Sequence, residues 1–488
     1  MLIDMKKLSI YLLSFVLLLW SCEQENIVLK PLPQTPTEAE TPDKGNADFT
    51  KYIAVGNSLT AGFQAGALFT EGQENSLAAM LARQFEAVGG GEFHQPDINS
   101  ENGFNILLPN SNPDFILGRL TLQGNPAAPA PTMGDAIKPY EGDKSKLNNF
   151  GVPGILLAQA MTPLTGGPDI PENPAFNALY ARFASDPGNS TIMGEAVAAN
   201  GTFFSFWLGN NDVLGYAASG ATNEAIFTDA AVFKMQYHAA LSELLADPDI
   251  KGVVANIPDV TGIPYFTTVP YNAITLGQEQ VDALNAGYAE FNQGIDAYNA
   301  GLLTGAVPDT PRPKISFEAG DNPIVIVDND LADLTAYGIP SMRQMEEGEL
   351  VIFTAATVLP TGVGSAEPAP DNLVLTKREI IEIKERVDAF NQAIVEVVDE
   401  IAPDRVAIVD INTAFKELAA GGAFQDGVVL TASLAPPFGA FSEDGIHPNT
   451  RGYAFTANLF IEAINKKFAA NVPKINIAAY SGTGLPTP

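Results

Sequence analysis

Histidine occurs three times in the 488 residues, at His94, His238 and His447, so a general base has few places to stand. Only His447 follows an aspartate by three positions, in Asp444-Gly445-Ile446-His447. In a turn, that spacing brings a carboxylate to imidazole Nδ1 and leaves Nε2 free to take a proton from a hydroxyl. Taken alone, the same four residues also read as a structural turn. His238 falls inside a helical stretch, where a structural role fits better, and His94 sits in a glycine-rich loop. Because imidazole changes charge between pH 5 and 8, chemistry that relies on His447 should decline in acid.

The hydroxyl partner is sought at Ser58, in KYIAVGNSLTAGF over residues 51–63. Tyr52, Ile53, Ala54 and Val55 form an unbroken apolar tract, as in a parallel strand buried on both faces, and Gly56 ends it. A sharp turn there presents Ser58 at the carboxyl edge of the sheet, where open α/β folds bind ligands. A serine in that place also serves as an ordinary helix cap. Asn149-Phe150-Gly151-Val152-Pro153-Gly154 and Gly209-Asn210-Asn211-Asp212 place further polar groups and glycines at the ends of apolar segments. The first of these also reads as a plain strand-to-helix turn.

Strand composition recurs at 202–208, 252–258 and 405–410, which with residues 52–55 and the Asn149 region gives five strand candidates. Helical spacing is found at 76–88, 224–246, 278–302, 377–401 and 450–468, and the alternation predicts a parallel sheet. Short strand-like pieces at 314–317, 324–327 and 350–353 lie among Gly and Pro, so 304–371 reads as an inserted, partly β cap. About fifty residues after Gly91 look irregular, with 110–113 and 126–131 as a long surface loop able to wall a substrate site. The apolar stretch 257–271, with Tyr265 and Phe266, fits either an acyl pocket or ordinary packing.

Composition excludes several chemistries. The formal net charge is −31, with no basic stripe, so nucleic acid is not an expected partner. Cys22 is the only cysteine, which leaves no internal disulfide, no cysteine-ligated zinc and no cysteine nucleophile in the folded region. Asp328-Asn329-Asp330 with Asp333 lacks the ligand spacing and turn glycine of a calcium loop and reads as a solvated acidic turn. Neither a metal nor a cofactor is expected.

Residues 1–22 have two lysines ahead of an apolar run too short for a comfortable membrane span, as in a secretory signal. Leu19-Trp20-Ser21-Cys22 resembles a bacterial lipobox, which would make Cys22 the acylated residue, although Trp20 stands where a small residue is usual. An ordinary secretory signal with an incidental cysteine is the other reading. Residues 23–48 are rich in Pro, Thr and acid and read as a disordered tether, and 471–488 as a frayed tail. The expected location is extracytoplasmic, held at the outer membrane through a lipid on Cys22.

Four segments in this order resemble the SGNH (GDSL-like) family of esterases and lipases: Gly56-Asn57-Ser58-Leu59, Asn149 to Gly154, Gly209-Asn210-Asn211-Asp212 and Asp444-Gly445-Ile446-His447. The resemblance implies a flavodoxin-like three-layer α/β sandwich over 49–470, built on a central parallel sheet of about five strands. It implies Ser58 as nucleophile, His447 as base and Asp444 as its orienter. The Ser58 N–H, the Gly154 N–H and the Asn211 amide would form the oxyanion hole. Asn57 stands where the family has an aspartate, which bears on how the Ser58 turn is supported. The implied reaction is hydrolysis of carboxylic esters through an acyl-enzyme, on lipid acyl chains or on acetyl groups of a glycan. A surface lipoprotein that keeps the scaffold only to bind glycan or protein is the reading from another class.

Overall fold

The structure is a computed structural model describing residues 41–109, 115–125 and 127–484. The expected signal segment with Cys22, the tether up to residue 40, positions 110–113 of the surface loop, Pro126 and the last four residues of the tail lie outside the described residues. The elements below belong to the compact unit Pro42–Pro488.

Five strands make the central sheet: β1 (Tyr52–Gly56), β2 (Asn149–Gly151), β3 (Phe203–Trp207), β4 (Lys251–Ala255) and β5 (Val406–Val409). They lie in the order β5-β4-β3-β1-β2, and every neighbouring pair is parallel. All residues of β1 and β3 are buried, as they must be in strands covered by helices on both faces. Counted from the other edge the order is 2-1-3-4-5, the doubly wound flavodoxin-like arrangement, whose direction reverses between β1 and β3. Ligands bind beyond the carboxyl ends of the strands at such a switch, so the turns after Gly56 and Trp207 open on one crevice.

The helices that matter to the site are α1 (Ser58–Ala61), α2 (Leu77–Glu86), α3 (Asn211–Ala218), α4 (Ala230–Leu244), α5 (Lys377–Ile401) and α6 (Thr450–Phe468). Helix α4 packs on α5, and α2 packs on α6. Helix α5 opens with a capping box, in which the Thr376 hydroxyl accepts from the Glu379 N–H and Glu379 Oε2 accepts from the Thr376 N–H at 2.8 Å. Its buried residues Ile380, Ile383, Val387, Phe390, Ile394 and Val397 recur every three or four positions and form one apolar stripe. Phe49 stacks on Phe85 at 4.4 Å and tilts against Phe203 at 4.8 Å, while Phe203 meets Phe468 edge-on at 5.7 Å. Each ring buried this way contributes about 1.5–3 kcal/mol, so the block ties the segment entering β1 to α2, β3 and the end of α6.

Both expected loose ends are shorter than the composition suggests. Asp43 and Asn471 exchange backbone hydrogen bonds of 3.3 and 2.7 Å, and Ala47 and Phe49 are buried. Val472, Ile475 and Ile477 sit in the main core, and the Asn458 side-chain amide pairs with both main-chain groups of Ile475. The polar segments before β1 and after α6 therefore order each other by backbone pairing, which hydropathy does not register.

The irregular stretch after Gly91 holds a hairpin, Leu117–Gln123 with Ala128–Met133. Pro129 and Pro131 argue against a strand, yet in a two-stranded ribbon they stand opposite Leu122 and Leu120 and leave the partner strand's pairing intact elsewhere. The inserted lobe also begins earlier than residue 304. Val269 and Ile274 join Ile324, Ile326, Val351 and Val374 in a small core of their own, and three two-stranded ladders cross the lobe. The helix expected over 278–302 is two, Gln278–Gly287 and Ala289–Asn299, interrupted at Tyr288.

Residues 314–317 are not a strand. Asn285, Asn292 and Asn299, seven residues apart on those helices, each pair both amide atoms with the main chain of Phe317, Ile315 and Arg312 at 2.8–2.9 Å. Side-chain amides thus do for this extended segment what a neighbouring strand would do. The acidic turn is not simply solvated either, because Asp328 is buried and accepts from Arg343 Nε at 2.6 Å, with Glu349 on the other side of the guanidinium. Among the described residues, no group of three or more His, Cys, Asp or Glu could hold a metal ion.

Candidate active site

The turn after β1 is built around Asn57, whose Oδ1 accepts from the Leu59 N–H at 3.0 Å and so caps α1. Ser58 is the first residue of that helix, and its Oγ lies 2.9 Å from His447 Nε2. On the other side of the ring, His447 Nδ1 is 2.9 Å from Asp444 Oδ2. All three side chains are buried or nearly so, with 6%, 6% and 3% of Ser58, His447 and Asp444 exposed.

Asp444 is held from several directions. Its Oδ1 accepts from the N–H groups of Ile446 and His447 at 2.8 Å, and its Oδ2 accepts from the Gly66 N–H at 2.9 Å. Burial pushes its carboxyl upward, but the His447 ring and these donors outweigh it and leave the carboxyl below its ordinary value. Ser442 completes the cradle: its hydroxyl accepts from the Ala65 N–H at 2.9 Å and lies 3.1 Å from Asp444 Oδ1 and 3.0 Å from the His447 carbonyl. Ala65 and Gly66 both have positive φ, +51° and +78°, and their successive N–H groups go to the Ser442 hydroxyl and the Asp444 carboxylate in turn. The loop that leaves α1 therefore also orients the carboxylate.

Gly154 stands at φ +80° on the surface after β2, a conformation that side chains rarely adopt. Neither the Gly154 N–H nor the Ser58 N–H has an acceptor among the described residues. The Asn211 amide donates to the Ile155 carbonyl at 2.8 Å, which fixes the side chain beside the Gly154 loop. Asp212 makes the second tie, accepting from the Leu157 N–H at 2.9 Å and from the Thr228 hydroxyl at 2.8 Å. Burial raises the Asp212 carboxyl to about 6 in spite of those donors.

Ser58, Gly154, Asn211 and His447 line one cleft of ≈ 300 Å³. Its walls are apolar, with Ile106 and Leu107 from the long loop facing Leu156, Leu214 and Ile226. Phe63 closes the end beside the imidazole, 4.8 Å between ring centres. The stretch 257–271 divides: Phe266 is core, Tyr265 packs toward Phe353, and Pro258, Val260 and Ile263 line a second, smaller recess. His94 pairs with Glu92 and His238 faces Glu400 from α4, and neither lines the cleft.

The four polar segments picked out in the sequence thus meet at one crevice, although Cys22 lies outside the described residues. Gly66 and Ser442 were not singled out in the sequence. A serine two residues before the aspartate is the only local sign of the latter, and nothing local marks the former. Chemically, an imidazole backed by a carboxylate and 2.9 Å from Ser58 Oγ can remove a proton from that alcohol, and Ser58, Gly154 and Asn211 border the same cleft.

No family model matches the chain, and no curated protein sequence does. Among solved structures, the chain is similar to LAE5, an α/β hydrolase enzyme from the metagenome of Lake Arreo, Spain, at 10% identity over 86% of this chain and 96% of that one, with a TM-score of 0.33. It is similar also to a mutant of Axe2, an acetyl-xylooligosaccharide esterase from Geobacillus stearmophilus, at 9% identity over 86% of this chain and 97% of that one, again with a TM-score of 0.33. Likeness at that level carries no argument about the reaction, which rests on the geometry above.

Proposed function

We propose that the protein is a serine ester hydrolase of the SGNH (GDSL-like) type. The observation that carries this reading is the continuous relay Ser58 Oγ, His447 Nε2, His447 Nδ1, Asp444 Oδ2, with both links at 2.9 Å. Ser58 attacks the ester carbonyl carbon while His447 Nε2 takes its proton, and Asp444 holds the ring in the required tautomer and stabilises the imidazolium. The Ser58 and Gly154 N–H groups and the Asn211 amide receive the negative oxygen. His447 then returns the proton to the departing alcohol, leaving an acyl-enzyme that water hydrolyses.

The substrate proposed is a carboxylic ester with at least one apolar arm, as in a lipid, because Ile106, Leu107, Leu156, Leu214 and Ile226 give the cleft apolar walls. An O-acetylated glycan is the alternative within the same chemistry, and a purely binding role the alternative outside it. The lipobox-like end at Cys22 supports placing the enzyme outside the cytoplasm, anchored by lipid to the outer membrane. The test is turnover of p-nitrophenyl esters by purified wild type and Ser58→Ala: wild type should hydrolyse them and the variant should not. Undiminished turnover by Ser58→Ala ends the nucleophile assignment.

A further inference from the structure

Asn210 is 4% exposed, and neither its Oδ1 nor its Nδ2 has a hydrogen-bond partner among the described residues. Leaving a polar group unpaired in the interior costs about 1–3 kcal/mol, so a side chain kept this way calls for a partner such as an ordered water. Its neighbours are satisfied: Asn211 on the Ile155 carbonyl, Asp212 on Leu157 and Thr228.

Asn210 lines a recess of ≈ 40 Å³ that shares Ser58, Asn211, Leu214, Ile446 and His447 with the large cleft and has further walls of its own, among them Leu59, Pro258, Val260, Ile263 and Phe441. A buried water occupies about 10–15 Å³ of such space and needs two to four polar partners. The recess therefore has room for a few waters and none for an acyl chain, and the polar side chains that line it are the unpaired Asn210 amide, Asn57, Asn211, Ser58 and His447. An amide supplies N–H donors and a carbonyl acceptor together, which is what a water needs to be oriented.

We propose that this recess holds the water that attacks the acyl-enzyme, with the Asn210 amide as its positioning group. The inference rests on the serine hydrolase reading. With the acyl group on Ser58, His447 Nε2 takes a proton from this water as the water oxygen bonds to the acyl carbon. Collapse breaks the bond from that carbon to Ser58 Oγ, and the proton passes from Nε2 to Oγ. The products are a carboxylic acid and the free serine, with no further reactant.

The experiment separates acylation from deacylation. Wild type, Asn210→Ala and Asn210→Leu are mixed with p-nitrophenyl butyrate in a stopped flow, with and without methanol, after circular dichroism melts establish which variants are folded. Phenolate release in the first turnover reads acylation, and the steady state and the acid-to-methyl-ester product ratio read the water step. Folded Asn210 variants should acylate as wild type does, turn over about tenfold or more slowly, and give proportionately more methyl ester, since misplacing a reactant by an ångström costs up to about a hundredfold. A merely structural role would slow both phases together and leave the product ratio alone. Wild-type turnover and product ratio in Asn210→Ala, which creates no clash, would overturn the inference while leaving the hydrolase reading standing. Absence of any acyl-enzyme in wild type would instead bring down the hydrolase reading itself.

Discussion

Gly66 donates its backbone N–H to Asp444 Oδ2 at 2.9 Å across 378 positions of chain, so the loop leaving the Ser58 helix also steadies the carboxylate behind His447. Gly66 has φ +78°, and a Cβ there would lie 2.7 Å from the Asn105 amide. Gly66→Ala is expected to lose about 1–2 kcal/mol of stability, the cost of a left-handed backbone for an L-residue. Ester turnover should fall about tenfold as the carboxylate loses its alignment. Urea unfolding beside p-nitrophenyl acetate turnover checks both, and an unchanged rate in a folded variant would show that the Gly66 turn is not needed to align the carboxylate.

Asn211 offers its amide to the developing oxyanion while also holding the Ile155 carbonyl. Asn211→Ala should lower kcat about a hundred- to thousandfold with little change in KM, because the donor acts on the transition state. The lost bond to Ile155 should cost only about 1 kcal/mol of stability. A raised KM with kcat intact would assign Asn211 to substrate binding instead.

Asp212 gives a pH signature. Its carboxyl is raised from 3.8 to about 6 by burial, so between those values the folded state keeps a proton that the unfolded chain has released. Stability from this group is full below about pH 4 and is lost as pH rises through about 6, by up to roughly 3 kcal/mol. Asp212→Asn keeps an acceptor for Leu157 and a partner for Thr228 but cannot ionise. The stability of the variant relative to wild type should therefore climb between pH 4 and 7 in urea titrations. A difference that stays constant over that range would contradict a raised carboxyl.

Leu107 forms part of the apolar wall while remaining 43% exposed, so a charge there can be solvated without unfolding the loop. Leu107→Asp should reduce kcat/KM for a p-nitrophenyl decanoate about tenfold and leave the acetate unaffected, the scale of discrimination expected from a hydrophobic pocket. Equal losses on both esters would mean that the wall does not read chain length.

How much of this the residues announce depends on the range of the forces involved. The sheet strands are legible because apolar tracts such as Tyr52 to Val55 and Phe203 to Trp207 are buried on both faces, and helices α5 and α6 because their apolar stripes are regular. The Ser58, Asn211 and Asp444–His447 segments are legible because each ends a predicted strand or sits in a distinctive turn. What stays hidden is pairing between distant polar groups. The Asn285, Asn292 and Asn299 ladder looks like a polar helix face until Phe317, Ile315 and Arg312 are set against it. Asp43 with Asn471 is a backbone pairing, and Gly66 with Asp444 joins a backbone N–H to a distant carboxylate, so no local side-chain pattern records either. The Leu117–Gln123 hairpin is concealed by the prolines of its partner strand, which propensity counts against it.

The most direct test of the Ser58 and His447 pairing is covalent. Purified protein incubated with a fluorophosphonate is read by intact mass and peptide mapping, since only an activated serine attacks the phosphorus. Wild type should gain one phosphonyl group, mapped to Ser58, while Ser58→Ala gains none and His447→Ala reacts far more slowly although folded. No adduct on wild type, or an adduct formed by Ser58→Ala at the wild-type rate, would contradict a nucleophilic Ser58.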